Sequence, residues 1–165
     1  MRLFSRRGLA VLAAITLLAR LGFALQRGVF GDPEVWEYDV IASGIHAGYG
    51  HVYVRAGFPY FAYSPPVWSY ILAALRFLPE DGRASVQVVQ AFFCLGTAIA
   101  CARITRRLGG GERAEWLTAL AVALQPSLLY YSVVKSDPLP LNAFLLALAV
   151  LVGSRVIEEP RGGTA

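Results

Sequence analysis

Residues 8–25 read GLAVLAAITLLARLGFAL, an apolar run broken by a single charge at Arg20. As a helix it would rise ~27 Å, close to the ~30 Å of hydrocarbon in a bilayer. Arg2, Arg6 and Arg7 precede it. A secretory signal peptide would share these features, and Ser5-Arg6-Arg7 is similar to a twin-arginine start. No small-x-small cleavage site follows, however, and further apolar runs come later. The run therefore reads as a retained first span with its N-terminus in the cytoplasm. Arg20, in the last turns of the run, could snorkel to the outer boundary or face a site outside, and the sequence leaves its role open.

Working outward, comparable runs cover 85–104, 115–134 and 138–157. The chain has 165 residues, 56% of them hydrophobic and 16% charged. A soluble domain carries about a quarter charged residues, and four such runs leave no polar shell to cover them. The expected fold is an all-α integral membrane bundle of about four transmembrane helices, forming a single membrane domain. Net charge is +4, from arginines and the single lysine Lys135. The arginines flank helix ends instead of lining a groove, which reads as topology information and excludes a nucleic-acid surface. Cys94 and Cys101 fall on one face of one apolar run, as small core residues.

Residues 26–84 form a long, aromatic-rich connection. A structureless loop of that length is unexpected, so short interfacial helices are predicted at about 33–47 and 65–78. Pro33 suits a first helical turn, Glu34 and Glu37 suit the dipole there, and Gly48 suits the stop. The apolar part of 65–78 is short for a span. If it does not cross, the arginine group Arg103, Arg106, Arg107 and Arg113 falls inside, as do Arg155 and Arg161. Both termini are then cytoplasmic, in what reads as a bacterial inner membrane. Pro126 should kink the third span. Gln87, Gln90, Gln125 and Asn142 should face neighbouring helices, and the tail after Glu158 reads as frayed or as the start of a cytoplasmic loop.

The acids of interest then share the outer face: Asp32, Glu34, Glu37, Asp39 and Asp137. Asp32 and Glu34 could converge on one cation, or one could act as a base beside the other; capping by Asp32 is the plain alternative. His46 and His51 flank Gly48-Tyr49-Gly50 and could bind a divalent metal, but no third ligand is fixed. Arg55 could meet a phosphate or a lipid headgroup. Lys135 and Asp137 could pair with each other or reach the outer loop, and Lys135 could contact an anionic donor. Tyr63-Ser64-Pro65-Pro66 gives a rigid lead into the short helix. There is no phosphate-binding glycine loop, no nucleophile triad and no zinc-protease motif.

The order of these features carries more than any one of them. A basic-flanked helix leads to Gly31-Asp32-Pro33-Glu34, Tyr38, Ala42 and Gly48-Tyr49-Gly50. Then come Tyr53-Val54-Arg55, Phe61-Ala62-Tyr63-Ser64-Pro65-Pro66, Arg106-Arg107-Leu108-Gly109, Gln125-Pro126-Ser127 and Ser136-Asp137-Pro138-Leu139. This resembles the N-terminal part of the C-fold (GT-C) polytopic glycosyltransferases that use polyprenyl-phosphate sugars, leaning toward their mannosyltransferase branches. The resemblance implies sugar transfer on the outer face from a lipid-linked donor. It maps the catalytic carboxylate onto Asp32 with Glu34 as partner, although many relatives carry their first acid where Glu34 stands. It makes Tyr38, Arg55, Tyr63, Lys135 and Asp137 the substrate-binding candidates. Family members usually continue through several more spans, so the chain is expected to be a fragment, to be completed by a second membrane chain, or to have lost activity. The other readings are a non-catalytic membrane subunit or scaffold, and a small transporter component.

Overall fold

A computed structural model describes residues 3–34, 36–61 and 64–158, with 80, 81 and 155–158 described by backbone alone. The chain is mostly helical. Helix α1 spans Arg6–Arg27, α2 Glu37–His46, α3 Pro66–Leu75, α4 Arg83–Arg107, α5 Glu112–Ala123, α6 Pro126–Val133 and α7 Leu139–Glu158. Strands β1 (Val52–Arg55) and β2 (Phe58–Phe61) form an antiparallel hairpin between α2 and α3.

Helices α1 and α4 are long and apolar enough to cross a membrane. Each contains its expected run, 8–25 or 85–104, and extends beyond it into flanking arginines. Ser5 caps α1 by accepting from the Gly8 amide at 3.1 Å, and Gly28 ends it in the left-handed region. The third expected span is two helices, α5 and α6, bent by 43° across the break before Pro126; taken together they make a third candidate. The described apolar part of α7, 139–154, falls in a shorter class. Among the described residues there are thus two candidate spans, or three, where four were expected.

Helix α4 is the hub, packing against α1, α5, α6, α7 and α3. Its faces are built from small residues, so neighbouring backbones approach closely. Ala98 and Ala102 meet Leu12 of α1 and Ala119 and Ala123 of α5 in one buried cluster. Gly96 leaves room for the Phe144 ring of α7, which lies where a Cβ would stand. At one end of the bundle, Arg103 lies 4.9 Å from the Phe4 ring and Arg107 donates to the Leu151 carbonyl at 2.6 Å. The opposite end carries the long loop. The rods therefore alternate in direction, with an arginine end and a loop end.

At the loop end α2 packs on α3 and α3 on α4, around a buried cluster of Ala42, Trp68, Leu72, Ala73, Val86 and Leu141. Helix α3 has ten residues and rises ~15 Å, half of what a span needs. It matches the expected 65–78 helix in place, shortened at its end.

Two expectations are corrected here. The connection is not all-α: residues 52–61 form the hairpin, turned through Ala56 (φ 51°) and Gly57 (φ 83°), the left-handed pair that tight hairpins require. The helix expected over 33–47 begins only at Glu37, with Trp36 at its cap position. Glu34 is instead paired by its backbone with a distant segment, so Pro33 does not start a helix.

Candidate functional site

That distant segment is the link between α6 and α7. The Glu34 amide donates to the Val134 carbonyl at 2.7 Å, and the Ser136 amide donates to the Glu34 carbonyl at 3.1 Å. The result is a parallel bridge between Glu34 and Lys135. It places Lys135 Nζ 3.3 Å from Glu34 Oε2 and 4.1 Å from the centre of the Trp36 ring, with the Tyr130 ring 5.9 Å away. An ammonium resting on an aromatic face beside a carboxylate is held by both, each contributing about 0.5–1 kcal/mol. Lys135 is only 15% exposed at its side chain, whereas Glu34 is 54% exposed. The carboxylate therefore remains open to solvent on one side while its cation is enclosed.

Asp32 goes elsewhere. Its carboxylate pairs with Arg83 at the start of α4, and at 71% exposure it is the most open acid of the group. The two acids of Asp32-Pro33-Glu34 do not converge on one cation, because the extended backbone sends them to different partners. Asp32 is not a helix cap either. Asp137 accepts from the Leu139 amide at 2.8 Å through Oδ1 and so opens α7; the pairing considered between Lys135 and Asp137 gives way to that of Lys135 with Glu34.

Two glutamines of α4 hold this end together. Gln87 accepts from the Gly31 amide at 2.9 Å and donates to the carbonyls of Val29 at 2.8 Å and Val133 at 2.7 Å. One turn on, Gln90 donates to the Asp137 carbonyl at 2.8 Å and to that of Tyr131 at 3.3 Å. Both glutamines face neighbours as expected. Gln125 and Asn142 do not: both are exposed, and Gln125 caps α6 by accepting from the Leu128 amide.

The remaining candidates lie apart. Tyr38 packs from α2 against the α2–α3 core. Arg55 is exposed at the hairpin turn, and no contact among the described residues joins it to Glu34 or Asp32. Tyr63 lies outside the described residues. His46 lies against Phe77 at 4.7 Å and His51 stacks on Tyr70 at 6.2 Å, so each imidazole has its own ring partner. Among the described residues no group of three or more His, Cys, Asp or Glu is placed to hold a metal. Sequence reasoning missed Arg83 as the partner of Asp32, and missed Arg76, which bridges α3 to Asp39 of α2 at 2.6 Å. It also missed the enclosure of Lys135 by Trp36 and Tyr130.

No protein-family model, characterised protein or solved structure matches the chain.

Proposed function

We propose that the chain is a membrane glycosyltransferase of the C-fold kind, or the N-terminal part of one, moving a sugar such as mannose from a polyprenyl-phosphate donor to an acceptor on the outer face. In this reading the chain crosses a bacterial inner membrane four times with both termini in the cytoplasm, and α7 completes the fourth crossing. A carboxylate, Asp32 or Glu34, takes the proton of an acceptor hydroxyl as its oxygen bonds to the anomeric carbon. The bond from that carbon to the phosphate oxygen breaks, and polyprenyl phosphate leaves with the electron pair. Lys135 balances the phosphate charge, with Arg55 a more distant cation; Tyr38, Tyr63 and Asp137 are the further candidates for substrate binding.

The observation that supports this reading best is the half-open Glu34 carboxylate set against an enclosed lysine and two aromatic rings at the loop end. Sugars commonly stack on aromatic faces, and a fixed ammonium suits a departing phosphate. The experiment is transfer from a polyprenyl-phosphate sugar in membranes, comparing the chain with its Asp32→Asn and Glu34→Gln variants. Loss in either identifies the leading acid; undiminished transfer in both removes them from the mechanism.

A second reading is favoured by the partners themselves. Asp32, Glu34 and Asp137 each have a structural role, in an ion pair or at a helix start. A non-catalytic scaffold that completes another polytopic chain would need nothing more. Co-purification with such a chain, and no transfer by either alone or together, would favour it.

A further inference from the structure

We infer that a groove between α1 and α4 binds the phosphate of a membrane phospholipid, with Arg20 as its anchor. The groove is not lined by Glu34, Lys135, Trp36 or Tyr130, and its proposed ligand does not depend on sugar transfer.

The groove has a volume of about 210 Å³ and opens sideways between the two longest helices. Its rim is apolar and exposed, from Leu18 and Leu21 of α1 to Val88 of α4, with Phe30 at the loop end. Arg20 and Ser132 lie among its lining residues and are buried. Arg20 is only 4% exposed. Its Nε donates to Ser132 Oγ at 3.0 Å, and its Nη1 donates to the carbonyls of Thr16 at 3.1 Å and Ala123 at 3.0 Å. Nη2 has no partner among the described residues.

These contacts explain part of the burial. Ala123 is the last residue of α5, so the guanidinium sits at the negative end of a helix whose ladder stops before Pro126. All its acceptors are nonetheless neutral, and no carboxylate pairs with it among the described residues. A buried cation satisfied only by neutral oxygens keeps most of its desolvation cost. An anion is the missing component, and phosphate matches the guanidinium fork.

The surroundings select a lipid as its source. Arg20 stands seven residues before the end of α1, ~10 Å below it, within the hydrocarbon if α1 spans. Arginine at that depth draws headgroups and water toward itself. A phospholipid that brings its phosphate to Arg20 lays its chains along the exposed leucines and Val88, covering them as well. Soluble anions have no such gain.

The test uses the full chain in mild detergent, incubated with phosphatidic acid or with diacylglycerol of the same chains, and native mass spectrometry to count bound lipid. One phosphatidic acid should be retained, about tenfold over diacylglycerol, and excess inorganic phosphate should not displace it. Arg20→Gln and Val88→Trp should each lower retention by about tenfold, whereas Arg103→Gln at the arginine end should leave it unchanged. Val88 is exposed, so Val88→Trp fills the groove without disturbing the core and keeps the test valid if Arg20→Gln fails to fold. Equal retention of diacylglycerol, displacement by phosphate, or full retention in Val88→Trp would overturn the assignment.

Discussion

Glu34 and Lys135 are joined twice, by a backbone bridge between two segments a hundred residues apart and by an ion pair of 3.3 Å between their side chains. The backbone pairing fixes where the side chains start, so the ion pair needs little further ordering. The ammonium also lies over the Trp36 ring, 4.1 Å from its centre.

The first prediction concerns that pair. A double-mutant cycle with Glu34→Gln and Lys135→Gln should give a coupling of about 0.5–1 kcal/mol, because Glu34 is more than half exposed. Replacing Trp36 by Leu should cost a further ~1 kcal/mol by removing the ring under the ammonium. Denaturant unfolding in micelles reads both; a coupling near zero would mean that the backbone bridge alone holds the segments.

Gln87→Leu should be far more damaging than either change to the Glu34–Lys135 pair. It removes three hydrogen bonds at once and leaves the Val29 and Val133 carbonyls and the Gly31 amide without their partner. A loss of about 3 kcal/mol or more is expected. Gln87→Glu keeps the acceptor for Gly31 but not the donor, and should recover little of it.

Gly82→Ala should loosen the junction of α3 with α4. Gly82 has φ 69°, and a Cβ there would lie 2.1 Å from the Leu75 carbonyl oxygen, a backbone atom that cannot swing aside. The expected cost is about 2 kcal/mol or more. With Trp36 and Trp116 replaced by Phe, emission from the buried Trp68 should shift to the red; unchanged emission would refute the junction.

Sidedness can be read with single cysteines in a background lacking Cys94 and Cys101. Leu108, at the arginine end, and Tyr49, at the loop end, are both highly exposed. An impermeant thiol reagent added outside should label Tyr49→Cys and spare Leu108→Cys. The reverse pattern would invert the proposed topology.

The long helices were legible because membrane-spanning length leaves a direct mark on the sequence: 8–25 and 85–104 lie within α1 and α4. The break before Pro126 was legible as a kink, since proline removes a ladder donor. The start of α2 was not. Asp32-Pro33-Glu34 has the local chemistry of a helix start, yet Glu34 is drawn into pairing with Val134 and Ser136, a long-range contact that no local pattern encodes. The hairpin left a weak mark in Tyr53-Val54-Arg55 and Phe58, but its turn uses Ala56-Gly57 instead of the usual Asn-Gly, and Pro59 argues against a strand. Of the candidate site, Glu34 and Lys135 come together and Asp137 follows Lys135 in sequence; Asp32 pairs with Arg83, and Arg55 is exposed on the hairpin. Arg20 was visible as an odd charge, but two of its three acceptors, Ser132 and the Ala123 carbonyl, lie on elements that only the fold brings beside α1.

The bend between α5 and α6 would carry a mechanical consequence if the pair makes one crossing. The two axes differ by 43°, so only one of them could stand near the bilayer normal and the other would present the lipids with a slanted wall. Tilt of that kind is one way in which a helix adjusts to bilayer thickness and in which proteins are sorted between membranes. The proline that ends one helix early would thus set how that wall leans.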